Sequence, residues 1–248
     1  MSSLAWLTAR PIAHRGLHDA DAGVIENTAS AFAAAIAGGY GIETDLQISA
    51  DGEAFVYHDD ALGRLTEGSA RLDTLTAAEI ETVRYKATGD RIMTLGDLCD
   101  FVAGRAALVI ELKSHFDGDR RLAQRAADVL ASYAGPVALM SFDPTLIEVV
   151  RWIAPHLTRG IIAERHYAHH EWDRLSTGQR RSLALLLHAG RTRPDFIAYA
   201  VKDLPAFPAF IARTLFRRPL LVWTVRSAAD RQVATRWADQ MIFEGFRP

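Results

Sequence analysis

The sequence predicts an α/β protein folded as a closed (β/α)8 TIM barrel, and three observations point there. Short apolar runs alternate with helix-like runs along all 248 residues, the pattern of a mainly parallel sheet. Most of the apolar runs are continuous, which suits strands covered on both faces. Eight or so strands in about 250 residues fit a closed barrel. A doubly wound sheet fits less well, because no G-x-G-x-x-G follows the first strand run.

The first strand run, PIAHRG (11–16), leads to a helix-like segment at 27–37 with Asn27 as its expected cap. GIETDLQI (41–48) and EAFVYHD (53–59) come next, then helix-like segments at 76–84, opening on Thr76, and 95–103. ALVIELK (107–113) precedes a helix at 119–132; PVALMSF (136–142) precedes one at 144–153, with Asp143 as cap and Pro144 at the first position. TRGIIA (158–163), DFIAYAV (195–201) and PLLVWTV (219–225) alternate with helices at 171–187, 205–216 and 227–237, the last capped by Ser227. QMIFEG (240–245) is the final strand run, leaving an eighth helix short or missing. The stretch 60–105 exceeds one crossover helix and is expected to form a small insertion over the sheet, after the second β/α region. No Pro/Gly/Ser linker divides the chain, so one domain over 1–248 is expected.

Hydrophobic residues make up 49% and charged residues 23%, ordinary for a soluble protein with a sizeable core. A net charge of −2 argues against a nucleic-acid partner but leaves room for a small anionic substrate. The one cysteine, Cys99, reads as a small buried hydrophobe; it excludes an internal disulfide and fits a reducing compartment. The start, MSSLAWLTARP, lacks the pattern of a secretory signal. No run of about twenty apolar residues spans a membrane. A cytoplasmic location is therefore expected, and nothing sets an oligomeric state.

Chemistry-bearing residues fall at strand ends. His14 and Arg15 end the first run, His58 the third, while Glu43/Asp45 and Glu111/Lys113 sit two apart in their own runs. Residues i and i+2 of a strand share a face, and C-terminal strand ends of a parallel barrel share one rim. Local salt bridges, Glu111 with Lys113 for example, would explain any one pair. Three carboxylates gathered at one rim repel and call for a hard divalent cation, Ca²⁺ or Mg²⁺. Two histidines beside it suit acid–base work on a phosphoryl group gripped by Arg15.

These residues match a known family. AHRG…ENTASAF, GIETDLQISADGEAFVYHDDALGRLT, LDTLTAAEI, MTLGDL, VIELK and VWTVR follow the order seen in glycerophosphodiester phosphodiesterases, which the chain resembles over nearly its whole length. The resemblance implies a (β/α)8 barrel that hydrolyses glycerophosphodiesters to sn-glycerol 3-phosphate and an alcohol. It implies Glu43, Asp45 and Glu111 as ligands of one divalent cation, His14 and His58 as the acid–base pair, and Arg15 and Lys113 as phosphate holders. In that family the substrate's own 2-hydroxyl attacks phosphorus and water opens the cyclic phosphate; the insertion roofs the site. The chain departs from the pattern at Ile25, where the family has Pro, at Arg226, where it has Asn, and at IFEGFRP, where Glu244 stands near the family's Asp. Alternative functions are hydrolysis of lysophospholipids, a reaction stopping at the cyclic phosphate, and a non-catalytic barrel that binds a phosphate ligand.

Other segments carry weaker signals. His166, His169 and His170 read as a solvated loop or helix surface rather than a metal site. The segment FPAFIARTLFRRP could lie on a membrane surface, but an ordinary outer barrel helix is the favoured reading. Trp223 would reach the mouth and stack on a glycerol face, or pack inside the barrel; Lys202 holds a similar rim position.

Overall fold

The computed structural model describes residues 4–169 and 172–248. Its strands are β1 (Ile12–Ala13), β2 (Gly41–Ile48), β3 (Ala54–Val56), β4 (Leu108–Leu112), β5 (Val137–Ser141), β6 (Thr158–Ala163), β7 (Phe196–Ala200), β8 (Leu220–Val225) and β9 (Gln240–Phe243). All but β3 pair in parallel, and β1 bonds to both β2 and β9, closing an eight-stranded barrel. The exception corrects an expectation. The run 53–59 is no barrel strand: β3 lies antiparallel on β2, with Leu46 opposite Val56. The five residues between β2 and β3 permit only a reversal, since a parallel return needs a crossover.

The helices are α1 (Ala5–Thr8), α2 (Ala29–Ala37), α3 (Ala77–Glu81), α4 (Leu95–Val102), α5 (Arg121–Leu130), α6 (Pro144–Ile153), α7 (Thr177–Ala184), α8 (Ala189–Thr192), α9 (Phe207–Thr214) and α10 (Ala228–Trp237). Thr76, Asp143 and Ser227 accept from the backbone N–H groups of Glu79, Thr145 and Asp230 and so cap α3, α6 and α10. Thr28, not Asn27, caps α2, because the Asn27 side chain is drawn to Asp45 and Thr44 instead. The helix expected over 171–187 begins later, at the Ser176 cap, and breaks where Leu186 takes a left-handed φ of 54°. No helix follows β9 among the described residues.

Two-residue alternation sorts the strands. Ala13, Ile42, Leu46, Leu108, Ile110, Leu112 and Leu139 face outward and pack under the helices. Ile12, Val109, Ala138, Met140, Ile162, Phe196, Ala198, Leu221 and Ile242 fill the barrel itself, with Leu7 of α1 among them. The interior is tight at Gly160, where a Cβ would come within 2.3 Å of the Phe196 ring. The stretch 60–105 divides: α4 packs in the main core as a barrel helix, while Leu62, Leu72, Ile80, Tyr85 and Ile92 form a core of their own against Ile25, Phe55 and Tyr57.

Candidate active site

Strand register assembles the site. Ala13 is opposite Ile42 on one side and Phe243 on the other, so the next residues, His14, Glu43 and Glu244, share one level. Asp45 pairs with Glu111 one pleat higher. Because Glu43 and Asp45, and Glu111 and Lys113, are two apart, all four side chains turn into the mouth.

The turn after β1 is bent to serve this level. Arg15 and Gly16 hold left-handed φ values of 55° and 79°. Gly16 is required there, since a Cβ would stand 2.8 Å from that of Ala31 in α2. A left-handed arginine costs backbone energy, as is common at functional sites. The bend lets the Arg15 N–H donate to Glu43 Oε2 at 3.0 Å, while its guanidinium donates to Glu26 at 2.7 Å and lies 3.4 Å from Asp45 Oδ2.

Glu43, Asp45 and Glu111 each offer an oxygen within 4.8 Å of the other two. Burial raises the Glu43 carboxyl well above its usual range, and repulsion from Asp45 and Glu111 raises it further. Burial likewise raises Glu111. Asp45 is the ionised member: burial opposes its charge, but Lys113, His58 and Arg15 hold it low. The Lys113 ammonium lies 2.9 Å from Asp45 and 3.1 Å from Glu111. Asn27 also donates to Asp45 at 2.9 Å. Burial and mutual repulsion thus keep all three carboxylates from ionising together without a further cation, and the donors are all oxygen. That set fits a hard divalent cation. Glu26, by contrast, is occupied by Arg15 and Arg64.

The histidines flank this group. His14 Nδ1 is 2.6 Å from Glu244 Oε2, and its Nε2 is 3.9 Å from Glu43. Burial lowers His14 to about 4, so near neutral pH it is uncharged, with Nδ1–H donated to Glu244 and Nε2 left as a base. Glu244 resists its own burial through the bond to His14 and the charge of Arg226, falling to about 2. Arg226 donates to the same oxygen at 2.8 Å, so two of the positions that depart from the family pattern meet each other. His58 comes to the site on the return of the β2–β3 hairpin, not from a parallel strand end. Its Nδ1 bonds Asp59 at 2.8 Å, and Arg64 holds Asp59 from behind at 2.6 Å.

A cavity of about 260 Å³ opens over these residues, lined by His14, Arg15, Glu43, His58, Glu111, Lys113 and Trp223. Asp45 lies just beneath, buried. The indole Nε1 of Trp223 is buried without a hydrogen-bond partner among the described residues. The sequence reading missed Phe142, Glu164 and Trp172 on the same wall. Glu164 is buried and accepts from Trp172 Nε1 at 3.0 Å, with Lys202 3.4 Å away. Phe142 and Glu164 continue the alternation Met140–Phe142 and Ile162–Glu164 just past strand ends, so the rule that found Glu111 would have found them. Trp172 comes from the turn before α7, inside the run read as a helix over 171–187, so its spacing did not point to the mouth. His169 also lines the cavity, His166 lies outside it, and His170 lies outside the described residues.

The model of the glycerophosphoryl diester phosphodiesterase family matches residues 14–246. The chain belongs to that family. A glycerophosphodiester phosphodiesterase of Caldanaerobacter subterraneus is 32% identical over 61% of this chain and 65% of its own length. The rat glycerophosphodiester phosphodiesterase 1 is 32% identical over 43% of this chain and 34% of its own. The chain thus spans less than two thirds of either curated relative. Among solved structures, a phosphodiesterase of Oleispira antarctica in complex with the product sn-glycerol-3-phosphate shares the fold with a TM-score of 0.76, at 18% identity over 96% of this chain and 94% of the other. A glycerophosphodiester phosphodiesterase from Agrobacterium tumefaciens gives 0.70, at 23% identity over 94% and 95%. Membership in the glycerophosphoryl diester phosphodiesterase family and the barrel agree.

Proposed function

We propose that this single-domain chain hydrolyses glycerophosphodiesters to sn-glycerol 3-phosphate and an alcohol, using one divalent cation, Ca²⁺ or Mg²⁺. The observation that carries the reading is one cavity faced by His14, His58 and the carboxylates of Glu43 and Glu111, with Asp45 beneath. Glu43, Asp45 and Glu111 would hold the cation, which when bound neutralises phosphoryl charge. The named product of the Oleispira antarctica phosphodiesterase supports the choice of substrate.

The protein's own groups supply the rest. His14 Nε2 takes the proton of the substrate's 2-hydroxyl as that oxygen bonds to phosphorus. His58 gives a proton to the alcohol oxygen as its P–O bond breaks. Water then opens the cyclic phosphate with the two roles reversed. Glu244 keeps His14 in the required tautomer, and Asp59 does the same for His58. Arg15 and Lys113 serve the phosphate while partly committed to Asp45. Trp223 packs on the glycerol, its free N–H offered to a hydroxyl.

A lysophospholipid needs an apolar groove for its chain. Leu62, Leu72 and Ile80 of the insertion line no such groove but pack into its own core, which supports deacylated substrates. A reducing compartment, the cytoplasm, suits the buried thiol of Cys99, pushed up to about 11 by burial. The test is release of glycerol 3-phosphate from glycerophosphocholine and glycerophosphoethanolamine, with Ca²⁺, with Mg²⁺ and with chelator. No release under any metal condition would remove this reading and leave the non-catalytic binding barrel.

A further inference from the structure

Helix α9 is packed the opposite way from an ordinary barrel helix. It buries Ala209 and Ala212 and turns its large side chains outward: Phe207 is 75% exposed and Phe216, just beyond its end, 63%. This corrects the expectation of an ordinary outer helix for FPAFIARTLFRRP. The neighbouring α7–α8 corner does the same, with Leu187 at 68%. Every exposed large hydrophobic among the described residues comes from 152–153, 185–187 or 207–216. These segments are neighbours: α6 packs on α8, and an apolar groove of about 470 Å³, lined by Leu185, Leu187, Phe207, Ile211 and Phe216, runs between the α7–α8 corner and α9. Soluble proteins rarely gather such residues without a use for them.

The charge around the groove is of one sign. Arg193 and Arg218 line it, and Arg217 adjoins. None of the three has a carboxylate partner among the described residues, because nearby acids are taken: Asp239 by Arg213, Glu148 by Arg191, Asp195 by Arg159. The same clustering reaches Arg159, which burial lowers and the charges of Arg151, Arg218 and Arg193 lower further against Asp195. Arg151 also stacks on exposed Trp152 at 4.7 Å. Among the described residues, no helix is long and apolar enough to cross a membrane.

We propose that this flank docks on the surface of an anionic phospholipid bilayer. Phe207, Phe216 and Leu187 enter the boundary between head groups and acyl chains, and Arg193, Arg217 and Arg218 meet the lipid phosphates. Charge complementarity selects this occupant: a second copy would set the same arginines against one another. The groove and the catalytic cavity share no lining residue, so docking leaves the mouth open.

The test is co-sedimentation of the full chain with vesicles of phosphatidylcholine alone or mixed with phosphatidylglycerol, beside light scattering of the protein alone. Binding should require phosphatidylglycerol and weaken with salt. Phe207→Ser with Phe216→Ser, and separately Arg217→Glu with Arg218→Glu, should each weaken it by about tenfold or more. Thermal stability and turnover of a soluble glycerophosphodiester should stay unchanged. No binding to phosphatidylglycerol vesicles at low salt, or binding that both double variants retain, would overturn the proposal. So would a dimer that the serine variants dissolve. A chain that binds vesicles yet releases no glycerol 3-phosphate would sink the proposed reaction and leave the docking surface standing.

Discussion

At the mouth of the barrel, Asp45 is buried yet meets Lys113, Arg15 and Asn27; on the α9 flank, Phe207 is three-quarters exposed and the Arg218 side chain has no carboxylate to meet among the described residues. Both regions break the rule that charge goes outside and hydrocarbon inside. They differ in where the compensation lies. The mouth compensates almost entirely within the chain, through a ladder of ion pairs that leaves room for one more cation. The flank leaves Arg193, Arg217 and Arg218 without a carboxylate among the described residues and Phe207 exposed, so whatever satisfies them comes from outside. A buried charge with partners thus marks a place of chemistry, and exposed hydrocarbon without partners marks a place of contact.

The sharpest way to break the comparison is at the mouth. His14→Ala or His58→Ala should lower turnover by roughly two to four orders of magnitude while leaving thermal unfolding close to wild type; an active alanine variant would remove that residue from the proton path. Next come paired phenylalanines. Phe196→Ala, inside the barrel, should cost about 3–5 kcal/mol in urea unfolding, whereas Phe207→Ala on the flank should stay within about 0.5 kcal/mol. Equal costs would mean that the flank is packed after all.

A third prediction uses pH. Burial, aided by Arg191, lowers His188 to about 4, below its ordinary 6.5 in the unfolded chain. As pH falls from 6.5 to 4 the unfolded state therefore binds the proton first, and stability present above 6.5 is lost, by up to about 3 kcal/mol. His188→Leu should flatten that loss relative to wild type, which separates it from the opposing carboxylates at the mouth. The smallest effect concerns Glu43. In metal-free protein Glu43→Gln should change stability by no more than about 1 kcal/mol, while, in the proposed metal site, it should abolish the rise in melting temperature expected of the wild type with Ca²⁺ or Mg²⁺.

Much of the fold was legible because its signals are local. Apolar runs marked the strands, and Thr76, Asp143 and Ser227 marked helix starts. The reversal at β3 was not, since an apolar run has no direction written in it. The site was legible where residues alternate by two: Glu43 with Asp45, Glu111 with Lys113. Asn27 misled because one side chain can either cap a helix or reach a buried carboxylate, and only Asp45 in three dimensions decides. The outward face of α9 was hidden for a related reason. Helical spacing identifies Phe207 and Phe210 as one stripe but not which stripe, the alanines or the phenylalanines, meets the barrel.

The bond between His14 and Glu244 joins residues 230 positions apart, across the seam where β9 closes onto β1. During synthesis the histidine emerges early and stays without its carboxylate until some 230 further residues have been added. A chain that stops short of β9 therefore lacks the group that, in the proposed reaction, sets the His14 tautomer. In the folded protein, a protease nick or a slight loosening that frees β9 would part His14 from Glu244.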